Sequence, residues 1–414
     1  LDLDDDSMGL SSCQHDHAWY RHGPDRRADR GKAQSRLLRS RKKRIANRLC
    51  LIVFTLLLLV PLASPLSAKD LRIAFFSAGL SRKGPGLLLR DISRKEAQAL
   101  AARDVITRTD PDILVLSDFD YDAELSALRA FADLLAETAA PYPYAFARRP
   151  NTGWATGLDM DGDGRLGGPR DSQGFGYFAG QGGLAVLSRF PIDEPHLQDF
   201  SALLWRDFPE ALLPTHASGA PFPSDAALAA QRLSTTAHWS LPVTLSSGPL
   251  TLLISQATPP VFDGAEDRNG KRNHDENALW LHHIEGRLGT PPSGPFVLAF
   301  GANLDPADGA GRREVMQALL THPQLQDPRP KSQGAASAAT PAHLGDPALD
   351  TADWAEPTAD TFGPGNMRVD FLLPSADVTV SDAGVFWPAP TSADHALALA
   401  ASRHRLVWID IKLP

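Results

Sequence analysis

Short apolar runs recur along this chain from residue 71 to residue 411, and turn-forming residues bound most of them. Runs of this length are typical of buried strands. Residues 237–245 differ, because apolar and polar positions alternate there, as in a strand with one buried face. The predicted strands are residues 71–76, 113–116, 184–188, 237–245, 250–255, 295–299, 367–373 and 406–411.

Helical patterns lie between these strands, without a strict βαβ rhythm. The predicted helices are residues 95–109, 123–139, 273–288 and 312–320. This order predicts an α/β protein, a two-layer β-sandwich flanked by helices. Residues 151–183 form a Gly/Asp-rich loop. Residues 327–359, rich in Ala, Ser, Pro and Gly, are expected to be a loose insertion.

The first 68 residues have a different pattern. Seven basic residues between Arg36 and Arg48 precede an apolar run, 49–63, and a small-residue stretch that ends at Ala68. This order is that of a secretory signal peptide, and the run is shorter than the ~20 residues of a membrane span. We therefore expect an N-terminal extension and signal peptide over 1–68, cleaved near Ala68, and one domain over 69–414. The location would be periplasmic or secreted; an uncleaved signal would anchor the protein in the inner membrane.

Charge and cysteine content narrow the function. Cys13 and Cys50, the two cysteines, precede Ala68, so the exported domain would have no disulfide. Residues 69–414 carry 29 of the 41 basic and 42 of the 49 acidic residues, a formal charge of −13. An acidic domain repels a polyanion, and nucleic-acid-binding proteins use a basic face. The charge argues against nucleic acid and leaves a small anionic ligand or phosphoester as the partner.

Polar residues follow several of the predicted strands, where α/β proteins usually place their chemistry. The loop after residues 295–299 contains Gly301 and Asn303. Asp118 follows the second predicted strand, and His404 precedes the last. Strand ends of one sheet edge can bring such side chains together, so the sequence predicts a polar site there.

These segments, in this order, resemble the endonuclease/exonuclease/phosphatase superfamily of metal-dependent hydrolases. The resemblance spans residues 71–411 and implies a four-layer α/β/β/α fold. It also implies catalytic roles: Asn303 would bind phosphate, and Asp370 would orient His404. Asp118 would stand, one methylene shorter, where a metal-binding Glu is usual.

Four positions depart from the family pattern. Ser77 replaces an Asn, Gln256 a His, Gly301 the Asp that acts as general base, and Arg403 a carboxylate. Mg²⁺ prefers hard oxygen ligands, and a guanidinium at about 4 Å would repel it by roughly 1–4 kcal/mol. The pocket should therefore bind anions better than cations.

The sequence thus predicts a pseudoenzyme with weak or lost hydrolase activity that binds a phosphate- or carboxylate-bearing ligand. The alternative is an active Mg²⁺-dependent phosphoesterase that uses Asp118, Asn303, Asp370 and His404 in an altered arrangement.

A shift in register would change the assignment. Asp305 or Asp308 would then supply the base, and Asp394-His395 would be the terminal pair. Against this shift, Asp394-His395 lies far before the last predicted strand.

The Gly/Asp-rich loop contains a pattern typical of a calcium site. Asp159, Asp161 and Asp163 would supply oxygen ligands at positions 1, 3 and 5 of such a loop. Position 12 would be Arg170 rather than Glu, although Asp171 is next. A structural calcium loop and a solvated Gly/Asp turn are the two interpretations.

A dense polar segment follows residues 250–255. Arg268, Lys271 and Arg272 could form a phosphate-facing, ligand-binding lip. The same segment could be a helix start with Asn273 as its N-cap, and the two interpretations are compatible.

Overall fold

The structure, a computed structural model, describes residues 70–354 and 363–414. The predicted signal peptide with its cleavage near Ala68, and both cysteines, lie outside the described residues, as do residues 355–359 of the predicted insertion. Among the helices of the described residues, none is long and apolar enough to cross a membrane.

Helices and strands alternate irregularly along the described chain, as the sequence predicts. The helices are α1 (Leu87–Ser93), α2 (Ala97–Thr109), α3 (Ser126–Ala136), α4 (Asp225–Ala230), α5 (Arg268–Ile284), α6 (Glu314–Leu320), α7 (Gln333–Ser337) and α8 (His395–Ala401). The strands are β1 (Leu71–Leu80), β2 (Ile113–Phe119), β3 (Tyr144–Phe146), β4 (Gly183–Ser188), β5 (Gln198–Asp199), β6 (His238–Leu245), β7 (Gly248–Gln256), β8 (Phe296–Gly301), β9 (Ala352–Asp353), β10 (Asn366–Met367), β11 (Asp370–Pro374), β12 (Thr379–Val385) and β13 (Val407–Lys412).

Two mixed sheets form the body of the fold. One has the strand order β12-β13-β1-β2-β4-β3, and the other has the order β11-β8-β7-β6-β5; β9 and β10 pair separately. Within the first sheet β1 and β2 are parallel, and within the second β7 and β8 are parallel.

Successive side chains of each strand point to opposite faces of its sheet, and this alternation produces the layers. Ile73 and Phe75 of β1 pack against Trp239 and Ile254 of the opposite sheet. Ala74 and Phe76, which alternate with them, pack outward on α1 to α3. The outer face of the second sheet packs on α5 and α6. The result is the α/β/β/α sandwich that the resemblance implied.

Sheet topology brings polar strand ends to one edge. β1 and β2 run the same way, and β13, antiparallel to β1, begins where they end. In the other sheet, Gly301 at the end of β8 pairs with Asp370 at the start of β11, and Gln256 at the end of β7 pairs with Gly301. The predicted site residues therefore come from several strands that meet at this edge.

Two expectations need correction. The helix expected over 273–288 begins five residues earlier, at Arg268, so Asn273 is not its N-cap. Residues 327–354 are not a loose insertion: they contain α7 and β9, and Ala335 and Thr351 are fully buried. Small residues are required there because α7 packs closely; a Cβ atom at Gly334 would lie 2.1 Å from Cδ1 of Trp387.

Candidate functional site

An aspartate–histidine pair lies at the polar edge. Asp370 is fully buried at the start of β11, and His404 lies in the turn before β13. Nδ1 of His404 and Oδ2 of Asp370 are 2.7 Å apart. Because a carboxylate oxygen only accepts, Nδ1 donates, and Nε2 is left for another group. The structure thus brings together the two residues that the sequence predicted as partners.

Charge at this edge favours a protonated His404. Burial lowers the pKa of His404, but the carboxylates of Asp370 and Asp118 outweigh burial, and the net effect is a raised pKa. At Asp118, near the end of β2, burial raises the carboxyl pKa and the charge of His404 opposes that effect. Each group influences the other, so Asp118 and His404 lie on the same site. A cationic imidazole there suits an anionic ligand.

The pair is held by the segment that composition suggested was loose. Oγ1 of Thr351 accepts hydrogen bonds from the backbone N–H groups of Val369 and Asp370, each at 3.0 Å. Its carbonyl accepts from the N–H of Arg405 at 2.6 Å, and the N–H of Asp353 donates to the carbonyl of Arg403 at 3.0 Å. One short segment therefore ties the backbone beside Asp370 to the backbone beside His404.

Position 301 is filled by a neighbour. A Cβ atom at Gly301 would lie 1.9 Å from Oε1 of Gln256 and 2.6 Å from its Cδ. This Oε1 is buried and has no hydrogen-bond partner among the described residues. The Gln256 amide occupies the room that a carboxylate at 301 would need, so the two departures from the family pattern form one packing unit.

Asn303 and Ser77 both lie at this edge. Asn303 has a left-handed φ of 48°, and its Nδ2 donates to the carbonyl of Ala257 at 2.7 Å. That bond fixes the amide and leaves its Oδ1 and one N–H for other partners. Ser77 is buried on β1, and its carbonyl accepts from Oγ of Ser402 at 2.7 Å.

Arg403 is exposed and lines a cavity of about 660 Å³ together with Asn303. Among the described residues, its guanidinium has no carboxylate within ion-pair distance. Arg403, the cation that replaces a carboxylate of the family pattern, therefore lies at the mouth of the site.

The shifted register is not compatible with the structure. The carboxylate of Asp305 accepts from the N–H groups of Ala307, Asp308 and Arg368, which makes it a turn-forming group rather than a base. Asp308 accepts from two other backbone N–H groups. His395 begins α8, and its Nδ1 bonds the carbonyl of Pro388. Neither Asp394 nor His395 reaches Asp370.

Two residues of the predicted basic lip, Arg268 and Arg272, differ in burial. Arg272 is buried, and its guanidinium donates to the carbonyls of Leu233, Gln173 and Arg232. Burial lowers its pKa to about 10. These bonds use Nε and Nη2 and leave Nη1, and Arg272 lines the same cavity as Arg268, so its part in a phosphate-facing lip stays a prediction. Arg268 is half-buried, donates to Gln231, and lines a second cavity of about 690 Å³.

Other polar residues of α5 organise the site loops, a role that the sequence did not predict for them. Nδ2 of Asn273 donates to the carbonyls of Thr258 and Ala302 at 2.7 and 2.8 Å. Glu276 accepts from the N–H groups of Thr235 and Thr258, and burial raises its pKa to about 7. Their signal in the sequence was a run of polar residues too dense for a surface helix alone.

An acidic cluster forms in the Gly/Asp-rich loop, with Asp171 in place of the predicted Asp163. Carboxylate oxygens of Asp159, Asp161 and Asp171 lie within 4.8 Å of one another. Asp163, expected to be a ligand, instead accepts from the N–H of Arg165 at 2.8 Å. Both oxygens of Asp159 accept from glycine N–H groups. The cluster is compatible with either a cation site or a well-bonded turn.

Comparison with known proteins identifies the family. The model of the endonuclease/exonuclease/phosphatase family matches residues 78–404. The chain belongs to this family. Among solved structures, it is similar to an endonuclease/exonuclease/phosphatase from Beutenbergia cavernae (17% identity, 83% of this chain and 72% of that chain, TM-score 0.47). It is also similar to the human Nocturnin catalytic domain with bound sulfate (11% identity, 83% of this chain and 95% of that chain, TM-score 0.44). A third similar structure is a Bacteroides thetaiotaomicron mannosyl-6-phosphatase (13% identity, 83% of this chain and 100% of that chain, TM-score 0.43). No curated protein matches the sequence.

Members of the endonuclease/exonuclease/phosphatase family typically depend on a divalent metal, and the site at the polar edge fits one poorly. Within the described residues, the cluster of Asp159, Asp161 and Asp171 is the only group of three or more His, Cys, Asp or Glu side chains with converging ligand atoms, and Asp118 is not in it. Burial favours the neutral form of Asp118, and residue 301 offers no ligand atom. Mg²⁺ needs charged oxygen ligands in near-octahedral geometry. The side chains at this edge do not supply them.

Proposed function

We propose that this member of the endonuclease/exonuclease/phosphatase family binds a small ligand bearing a phosphate or carboxylate and has weak or no hydrolase activity. The observation that carries the proposal is the packing at position 301, where Gln256 fills the space of the general base. The cation Arg403 and the raised pKa of His404 support anion binding at the same edge.

A second candidate is an active phosphoesterase that uses Asp118, Asn303, Asp370 and His404. The 2.7 Å contact between His404 and Asp370 favours it, because an oriented imidazole can still transfer a proton. Against this candidate, Gly301 has no side chain that could take the proton of an attacking water.

Hydrolysis assays separate the two candidates. The purified protein would be incubated with a phosphomonoester and a phosphodiester in Mg²⁺ or Mn²⁺, with and without chelator. We expect no turnover above background, and saturable phosphate binding by calorimetry that weakens at least tenfold in Arg403→Gln. Turnover that disappears both with chelator and in His404→Ala would establish the second candidate instead.

Export and a structural cation stay predictions of the sequence. Cell fractionation and N-terminal sequencing of the mature protein test cleavage near Ala68 and distinguish it from an inner-membrane anchor. Calcium at the acidic cluster would raise the melting temperature in the wild type but not in Asp161→Asn. An equal response of the two proteins to calcium and chelator would favour the solvated turn.

A further inference from the structure

The cavity at the polar edge has one charged end and an apolar wall. Asn303, Asp305 and Arg403 are its polar and charged lining residues, and the others are apolar, among them Pro260, Phe262, Trp354 and Met367. Its volume of about 660 Å³ falls in the range of small-molecule sites, which combine apolar walls with a few polar groups.

The charge at this cavity comes from a single cation. Asp305 also lines it, but three backbone N–H groups already bind that carboxylate, so its charge is largely compensated. Arg403 has no such partner among the described residues. His404 is close by, since the ring of Trp354 lies edge-on to the imidazole at a centroid distance of 5.2 Å. The charged end therefore suits one oxyanion group.

Phe262 is the distinctive part of the wall. Its φ is 71°, a rare conformation for a bulky residue, and its side chain is 65% exposed. The backbone on both sides is tied to Asn269, which donates from Nδ2 to the carbonyl of Val261 and from its N–H to the carboxylate of Asp263. Such strain persists where surrounding bonds impose it, and it is concentrated at ligand clamps and other functional sites. Here it presents a phenyl ring to open solvent where it lines both this cavity and the second one, so a control in the second cavity is needed.

We propose that the ligand is an amphiphilic anion: one terminal phosphate or carboxylate paired with Arg403, and an apolar body of aryl size resting on Phe262 and Trp354. This proposal rests on the proposed function, since it names the class of ligand for the same site. A purely inorganic anion would leave the phenyl ring of Phe262 without a partner.

Calorimetry with matched ligands tests the proposal. The probes are inorganic phosphate, 1-naphthylphosphonate, whose C–P bond resists hydrolysis, and 1-naphthoate, which separates a phosphate from a carboxylate preference. We expect 1-naphthylphosphonate or 1-naphthoate to bind at least tenfold more tightly than phosphate, which burial of part of one naphthyl ring system can supply. In Arg403→Gln the affinity for phosphate and the affinity for the preferred naphthyl anion should each fall at least tenfold.

The decisive variant is Phe262→Ala, in which the affinity ratio between the naphthyl anion and phosphate should fall towards one. Phe262→Gly is a second variant at the same position. It removes the same ring, and glycine adopts the positive φ without strain, so the protein should fold at least as well and give the same affinity ratio. Phe175→Ala is the matched control, because Phe175 is also an exposed phenylalanine (54%) but lines only the second cavity. That control should keep the wild-type ratio.

The outcomes distinguish the two proposals. Phosphate binding that depends on Arg403, with no naphthyl preference, would overturn this inference and leave the proposed function standing. A naphthyl preference that survives both Phe262 variants, or is lost in Phe175→Ala, would also overturn it, because the apolar body would then lie elsewhere. If none of the three anions binds, the proposed function itself fails.

Discussion

At the scale of single residues, Gly301 and Gln256 act together. The Gln256 amide is buried beside the glycine, and any side chain at 301 would have to displace it. Restoring one family residue therefore does not restore the family site. The same edge holds His404, whose Nδ1 donates a hydrogen bond to a buried carboxylate. Both features lead to measurements on individual side chains.

Gly301→Asp alone should lower the free energy of unfolding by about 1–3 kcal/mol, the usual cost of overpacking. Combining it with Gln256→Ala should recover part of that loss, because the shorter side chain vacates the space. Urea unfolding of the two single variants and the double variant measures the coupling. Gly294→Asp is the control, since a side chain there meets open space. Additive effects within about 0.5 kcal/mol would show that the two positions are independent.

Asp370→Asn should lower the pKa of His404, because it removes the largest of the effects that raise it. The raised pKa means that the folded state binds the proton more tightly than the unfolded state. The resulting stability is fully present below about pH 6.5, the unfolded pKa, and is lost as pH rises through the folded pKa. NMR titration of His404 and unfolding across pH 5–9 check both points.

In Asp370→Asn that loss of stability with rising pH should flatten. Asp193→Asn, which removes the carboxylate beside the exposed His196, is the control and should leave the pH profile unchanged. A His404 titration that is the same in wild type and Asp370→Asn would contradict the assigned cause.

At the scale of elements, residues 350–353 and α5 position the site through backbone contacts. Thr351 holds the chain beside Asp370, and Asn273 holds the loop carbonyls beside Asn303. Neither role has a periodic pattern, because a hydrogen bond to a distant carbonyl depends on tertiary placement and not on neighbours in sequence. Composition therefore suggested a loose segment for the first, and the local polar pattern suggested a helix N-cap for Asn273.

Thr351→Val should cost about 1–3 kcal/mol of stability, because two backbone N–H groups lose their acceptor in a buried place. It should also weaken phosphate binding, since the chain on either side of the pair is less fixed. Thr321→Val is the control: its Oγ1 bonds a carbonyl at an exposed helix end, and the change should stay within about 0.5 kcal/mol. Equal effects of the two substitutions would contradict the supporting role of Thr351.

At the scale of the whole molecule, most of the sandwich could be predicted from the sequence. Strands such as β2 and β8 are buried on both faces, so their apolar runs are continuous and easy to recognise. β12 is an edge strand in which only the last two of seven residues are buried, and its sequence has no such run. The order of polar strand ends predicted the edge of the site, but the filled space at position 301 depends on side-chain packing between two strands.

The charge of residues 69–414 gives a prediction for that domain as a whole. With a formal charge of −13 over residues 69–414, it should not bind single- or double-stranded DNA saturably at about 0.15 M salt. Fluorescence anisotropy with labelled oligonucleotides measures this, and a basic protein of similar size serves as the positive control. Saturable binding that weakens steeply with salt would contradict this prediction and indicate nucleic acid as a partner.

The interlock of Gln256 with Gly301 also bears on how this protein could change over generations. A reversion to Asp at 301 meets the glutamine amide, and a substitution at 256 alone opens a void without restoring a base. The two substitutions are therefore expected to be coupled, with the double change costing less than the sum of the single ones. Arg403 adds a third step of opposite charge. Under the proposed function, a regained carboxylate at 301 would therefore also require the Gln256 side chain to move or to be replaced.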